Sequence, residues 1–391
     1  MDFELSDEQR LLIETVRRFV ATELIPLEDD VEAKGYLEPE IAKAIGDKSR
    51  ELGLFALNIP AEYGGGGLSA VDMCLVEEQF GHTTDVLIRR AFGNVYEVLL
   101  VGTEEQKKRW LIPATRGETS YGVAFTEPGA GSDAAGIKTR AVRDGDGWIL
   151  NGNKHFISDG LYAKFFVVST VTDPTAGARG ISMFIVEKGM PGFSIGRDQP
   201  MMGLRGTSHT ELFFDNVKLG PEHLLGEEGQ GLRLTLETLG RIRLTVVGAR
   251  CVGRATRVLK LMTEYARDRK QFGKSIGEFQ MVQQMLADSA MEINAARLMV
   301  LQTASEIDKG IDPRERISMV KTYTSETLGR VVDRAVQVFG GMGFCKDLPI
   351  ERFYRDARVF RIFDGTSEVH RMVIARSMLK NGAARYADVM E

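Results

Sequence analysis

From Glu278 to Lys309 the chain contains neither glycine nor proline, and no proline interrupts the longer span between Pro221 and Pro313. These two residues are the strongest helix breakers, costing about 1 and about 3 kcal/mol in a helix interior. Apolar residues in the span recur three and four positions apart, which is a helical period. Long helices must therefore dominate this region. Two apolar faces on such helices predict a bundle whose outer surface also packs, either internally or against another subunit.

The rest of the chain changes texture twice. Ser6-Asp-Glu-Gln9 is a capping-box pattern, and Leu12, Val16, Phe19 and Val20 follow at helical spacing. Val71–Phe80 and Val95–Val101 also read as helical, and Thr103-Glu-Glu-Gln106 is a further start signal. Past Tyr121 glycines become frequent. Gly147–Gly152, Phe165–Val171, Ile181–Val186 and Glu211–Val217 are β-rich and bounded by turn residues. The expected organisation is an α+β multidomain chain, with a helical domain over residues 1–120, a β domain over 121–235 and a helical bundle over 236–391. No internal repeat or low-complexity segment is present.

Composition narrows the function. A length of 391 residues allows two or three packed domains. Net charge of -5 argues against a general nucleic-acid binder. No apolar run approaches the roughly 20 residues of a membrane span. The acidic start MDFELSDEQR lacks a charged leader with an apolar core, and Cys74, Cys251 and Cys345 are too few and too scattered for a disulfide framework. A cytoplasmic protein with a small-molecule partner is expected.

Several motifs are absent. Gly129, Gly131 and Gly136 do not have dinucleotide-fold spacing, and there is no phosphate loop of the GxxxxGK[ST] type. The five histidines lack metal-ligand spacing, so no metal site is expected, and no nucleophile elbow exists. What does appear is VAFTEPGAGSDAAG, Val123 to Gly136, whose glycine amides and Thr126 and Ser132 hydroxyls suit a phosphate or flat heterocycle, or else merely join two domains. Arg269-Lys-Gln-Phe-Gly-Lys274 sets a guanidinium beside an aromatic ring, suited to a phosphate and an adjoining ring or to an ordinary solvated turn. Near the C-terminus, Asp364-Gly-Thr-Ser-Glu368 offers a carboxylate, a flexible backbone and a hydroxyl. It reads either as a helix N-cap or as a catalytic loop.

In combination and in order, these segments resemble the acyl-CoA dehydrogenase flavoenzymes along essentially the whole chain. The first family signature resembles Ala124-Phe-Thr-Glu-Pro-Gly-Ala-Gly-Ser-Asp133, departing at Phe125, where an aliphatic residue is usual. The second is matched from Gln337 to Asp356, and RKQFGK with EFQ, Arg269 to Gln280, falls between them. The resemblance implies an N-terminal α-helical domain, a β-barrel-like middle domain and a C-terminal four-helix bundle. It implies FAD, an acyl-CoA substrate, electron transfer to an electron-transferring flavoprotein, and a homotetramer built as a dimer of dimers.

By the same resemblance, Phe125, Thr126, Gly131 and Ser132 would line the flavin, with Phe156 and Ser158 against its ring; tryptophan is common where Phe156 stands. Arg269, Phe272 and Gln280, with Gln337, Gly340 and Gly341 contributed by a neighbouring subunit, would hold the diphosphate and adenine end. Thr366 and Glu368 would lie near the cofactor. Ser132, Arg241 and Gly365 would meet the substrate, Arg241 standing behind the catalytic loop. The catalytic base would be Asp364, taking the α-proton of the thioester while hydride leaves the β-carbon for flavin N5.

Many members carry glutamate where this chain has Asp364. One methylene fewer suits a bulky, branched or cyclic acyl chain. Relatives with an aspartate base also open a flavin-oxidase reading, in which a nitroalkane is deprotonated, and loss of substrate chemistry would leave a non-catalytic flavin-binding paralogue. Arg89 and Arg90, near Asp85, are either partners for a carboxylate on the substrate tail or a solvated helix face.

Overall fold

The span without glycine or proline folds as one helix, Gln280–Asp308, in the computed structural model, which describes residues 4–93 and 95–382. Backbone proximity divides the described chain into two units. One gathers the residues up to Ile25, Ser69–Thr84 and those from Gly240 on; the other comprises Pro26–Leu68 and Asp85–Leu239.

The first unit is helical. Gln280–Asp308 packs with Arg250–Asp268 and Arg314–Phe339, and Arg314–Phe339 packs in turn with Arg250–Asp268, Ile350–Val359 and Ser367–Asn381. Their inward positions, among them Val258, Met262, Ile293, Val300, Val320, Leu328, Val331 and Phe353, are buried in one apolar cluster that Ala70 and Cys74 join. Asp7–Phe19 carries the expected capping box between Ser6 and Gln9. Ala70–Phe80 lies so close to Arg250–Asp268 that a Cβ at Gly253 would come within 1.8 Å of the Glu78 carbonyl. Only glycine permits that approach. At the same crossing Arg250 donates through Nε and Nη2 to Glu77 at 2.6 and 3.0 Å, both side chains being buried.

The second unit is built on a sheet. Its strands are β1 (Tyr121–Ala124), β2 (Arg140–Asp144), β3 (Gly147–Ser158), β4 (Phe165–Val171), β5 (Ile181–Glu187), β6 (Phe193–Asp198), β7 (His209–Leu219) and β8 (Leu224–Leu225). They order β6-β7-β3-β2-β4-β5-β8, with β1 added in parallel to β4. The apolar runs of β4 and β5 are explained by cover on both faces. Phe165, Val167, Met183 and Ile185 pack with Trp110, Leu111 and Leu99, whereas the alternate residues Phe166, Val168, Phe184 and Val186 pack with Trp148, Leu150 and Leu212.

The segment read as a helix over Val95–Val101 is only a short 3-10 helix, Glu97–Val101. The Tyr121 hydroxyl takes both backbone groups of Tyr96, at 2.8 Å from its N–H and 2.7 Å from its carbonyl, so those groups are withheld from a helical ladder. Arg89 and Arg90 are not a solvated face, being largely buried. They bond Asp159 at 3.2 and 2.5 Å, inside the second unit. Among the described residues no helix is long and apolar enough to cross a membrane.

Candidate active site

Asp364 sits in the first unit on a loop of two successive left-handed residues, with φ 55° at Asp364 and 94° at Gly365. Thr366 ends the loop as the N-cap of Ser367–Asn381, its hydroxyl accepting from the Val369 N–H. The two sequence readings of Asp364–Glu368 are therefore compatible, since the cap is Thr366 and the carboxylate stands two residues before it. A Cβ at Gly365 would approach the His370 ring to 2.8 Å, so glycine is required there for both its φ and its space.

The loop carbonyls point to donors on three helical segments. Arg243 Nε donates to the Asp364 carbonyl at 2.6 Å, His370 Nε2 donates to the same oxygen at 3.1 Å, and Lys321 Nζ donates to the Gly365 carbonyl at 2.6 Å. The second ring nitrogen of His370 lies 3.1 Å from the Ser318 hydroxyl. Burial, reinforced by the Arg243 charge, pulls His370 down to about 4, so it is neutral at pH 7. Burial also lowers Lys321 to about 8, although the Asp364 carboxylate draws it back up.

Leu-Gly-Arg-Ile-Arg is where sequence reasoning chose the wrong neighbour for the loop. Arg241, in the last turn of Gly231–Ile242, is exposed, and Arg243 holds the Asp364 backbone instead. Residues Arg243–Ala249 form a π-helical stretch. Helical spacing puts the two arginines on opposite faces but does not say which face meets the loop. Lys321 and His370 were also missed, and a polar residue amid the apolar period of its helix was the available signal for Lys321.

In the second unit the Val123–Gly136 segment closes into a tight turn, with Glu127 and Ala130 exchanging backbone hydrogen bonds at 3.0 and 3.2 Å. The Glu127 carboxylate turns inward and accepts from the backbone N–H groups of Lys138 and Thr139 and from the fully buried Lys154. Burial alone would raise Glu127, but Lys154 and these donors hold it below the ordinary carboxylate range. Lys154 also donates to the Phe125 carbonyl at 2.9 Å, and His155 N–H donates to the Thr126 carbonyl at 2.8 Å. These bonds bring Phe125 and Thr126 beside the strand that carries Phe156 and Ser158. Phe156 has φ 58° and is 53% exposed, a conformation and an exposure that a large aromatic residue rarely combines. Gly131 and Ser132 are exposed, and a Cβ at Gly131 would meet nothing within 4 Å.

Back in the first unit, Arg269-Lys-Gln-Phe-Gly-Lys274 forms a small hairpin in which Lys270–Gln271 pairs with Lys274–Ser275. Its two turn residues, Phe272 and Gly273, both have positive φ, so the Phe272 ring is displayed at the tip and is 93% exposed. Arg269, Gln280, Gln337, Gly340 and Gly341 are exposed, and a Cβ at either of those two glycines would meet nothing. Glu368 is exposed in the first turn of its helix. The predicted site residues thus fall into two sets, Phe125 to Ser158 in the second unit and Arg241 to Glu368 in the first. Open glycines, displayed aromatic rings and adjacent hydroxyls suit a large flat group with a polar tail.

The Asp364 loop lies in the helical unit and the glycine-rich turn in the sheet unit, each within a segment that a domain model of one enzyme family matches. Sequence models of the acyl-CoA dehydrogenase N-terminal, middle and C-terminal domains match residues 6–118, 122–217 and 229–379, and the chain belongs to the acyl-CoA dehydrogenase family, whose members use FAD. It is 39% identical over 385 residues to the probable acyl-CoA dehydrogenase fadE25 of Mycobacterium leprae, covering 97% of each chain. It is 38% identical to the cyclohex-1-ene-1-carbonyl-CoA dehydrogenase of Geobacter metallireducens, covering 96% of this chain and 99% of that one. The solved butyryl-CoA dehydrogenase of Megasphaera elsdenii is 33% identical with a TM-score of 0.90, covering 97% of this chain and all of that one. The α, β, α architecture read from the sequence is that family's fold.

Proposed function

We propose that the chain desaturates an acyl-CoA thioester between its α- and β-carbons, with Asp364 as the base that removes the α-proton. The observation that carries this reading is the Asp364 loop itself. A carboxylate two residues before a capped helix, held at positive φ by donors to its own carbonyl, is a group whose position is fixed while its side chain stays unburied enough to meet a ligand. FAD, when bound, supplies the two-electron acceptor for the hydrogen that leaves the β-carbon. Phe125, Thr126, Gly131, Ser132, Phe156 and Ser158 would hold its ring and pyrophosphate. Arg269, Phe272 and Gln280, with Gln337, Gly340 and Gly341 contributed by a neighbouring subunit, would hold its adenine end.

That division of labour requires an oligomer, and we assign a homotetramer. The fully displayed Phe272 and the open Gly340 and Gly341 support a site completed by a second chain. The electron acceptor is assigned as an electron-transferring flavoprotein. Within the acyl-CoA class, the shorter reach of Asp364 fits a branched or cyclic α-carbon, which brings the proton closer to the base.

Anaerobic bleaching of the bound flavin tests the reading against straight, branched, cyclic and carboxylated acyl-CoA thioesters. Asp364→Asn should retain flavin and lose bleaching by the thioester that reduces the wild type. Undiminished reduction in that variant would remove Asp364 as the base, and bleaching by nitroalkanes alone would assign an oxidase.

A further inference from the structure

We propose that Arg243 and Lys321 are positioning residues that grip the Asp364 and Gly365 carbonyls from inside the helical unit and thereby fix where the Asp364 carboxylate points. The inference rests on the reading of Asp364 as the base, but the grip itself is a property of the loop.

Left-handed backbone at a residue with a Cβ is strained, and it persists only where the surroundings over-determine it. Asp364 meets that condition with φ 55°, and the Gly365 that follows is left-handed too. The carbonyls of both residues precede the first turn of Ser367–Asn381, so the helix's own ladder does not use them, and each needs a donor from elsewhere. The donors come from three different segments. Arg243 heads the π-helical stretch Arg243–Ala249, Lys321 lies in Arg314–Phe339, and His370 lies in Ser367–Asn381.

The choice of residue type carries the argument further. Burying a cation is costly unless its charge and hydrogen bonds are answered. Lys321 is fully buried, Arg243 is mostly so, and each directs a short hydrogen bond at a backbone carbonyl. The Asp364 charge favours the charged form of both cations. A neutral donor such as serine would satisfy the carbonyls at less cost. Two cations do so while also placing positive charge beside the backbone that carries the Asp364 carboxylate. Arg241 and Arg243, two residues apart, stand about 200° apart around a helix, so Arg243 faces this loop while Arg241 faces solvent.

The test compares FAD-loaded wild type, Arg243→Met, Arg243→Lys, Lys321→Met and Asp364→Asn by two readouts. The first is amide hydrogen exchange without substrate. Exchange across residues 361–366 should rise about tenfold in Arg243→Met and Lys321→Met, while the Gln280–Asp308 helix stays as in wild type. The second is flavin reduction at saturating thioester. Its rate should fall about a hundredfold in Arg243→Met with KM within about twofold, because a misaimed base affects the chemical step more than binding. Arg243→Lys, which keeps charge and a donor, should recover part of both losses. It also carries the test if the methionine variant does not fold. Wild-type exchange across residues 361–366 in Arg243→Met, or an undiminished reduction rate, overturns the proposal. Unimpaired reduction in Asp364→Asn overturns the base assignment instead, and the exchange readout then still decides whether the clamp exists.

Discussion

Arg90 Nη2 lies 2.5 Å from Asp159 Oδ1, and the neighbouring Arg89 takes the other carboxylate oxygen at 3.2 Å, so two guanidinium groups share one internal carboxylate. Asp159 has φ 59° and directly follows Ser158, and the pair therefore ties a helix to the strand that carries Phe156. The Arg90 guanidinium also lies 4.7 Å from the Tyr162 ring centroid. Changing Arg89 and Arg90 together to alanine should leave the relative rates on carboxylated and plain acyl-CoA thioesters unchanged and lower stability by about 3–5 kcal/mol, because the buried Asp159 carboxylate loses both guanidinium groups. Rates across the thioester panel and a urea denaturation curve check both halves.

The Glu77–Arg250 pair makes a second stability claim. Both side chains are buried and the contact is bidentate, so Glu77→Ala takes from the Arg250 guanidinium the carboxylate that accepts from both its Nε and its Nη2. A loss of about 3–5 kcal/mol is expected, while a double change to apolar residues of similar volume should be far milder. Chemical denaturation of the single and double variants distinguishes a stranded charge from lost packing.

Acid should destabilise the protein in a defined window. Burial lowers His82, His209 and His370 from an ordinary value of 6.5 to about 4, with Arg257, Arg89 and Arg243 respectively adding to the effect. The unfolded chain takes these protons near pH 6.5, whereas the folded chain resists them until about 4. Stability is therefore full above pH 6.5 and falls as pH drops toward 4, by at most about 3 kcal/mol per histidine. Melting temperatures measured from pH 7.5 to 4.5 should decline accordingly, and His370→Gln should flatten the decline.

Asp364→Glu tests how closely the loop is set for the shorter side chain. One added methylene moves the carboxylate by about 1.5 Å, and displacement on that scale costs about a hundredfold in rate. Flavin reduction should slow by about that factor on the thioester that reduces wild type fastest, with the melting temperature little changed.

What the sequence determined by itself follows from rules that act locally. Breaker-free spans with a helical period specified Gln280–Asp308, and β-rich apolar runs bounded by turn residues specified β4 and β5. Capping boxes specified the helix starts at Ser6 and Thr103. The order of long motifs specified the family. Tertiary structure decided which arginine of Leu-Gly-Arg-Ile-Arg serves the loop, because helical spacing sets the two on opposite faces without saying which face meets a residue 121 positions away. It also decided that Arg89 and Arg90 are spent on Asp159, some seventy residues away, and that Glu127 is answered by Lys154. A charged residue's partner is set by which distant segments the fold brings within about 3 Å, and the spacing of neighbours along the chain carries no record of that distance.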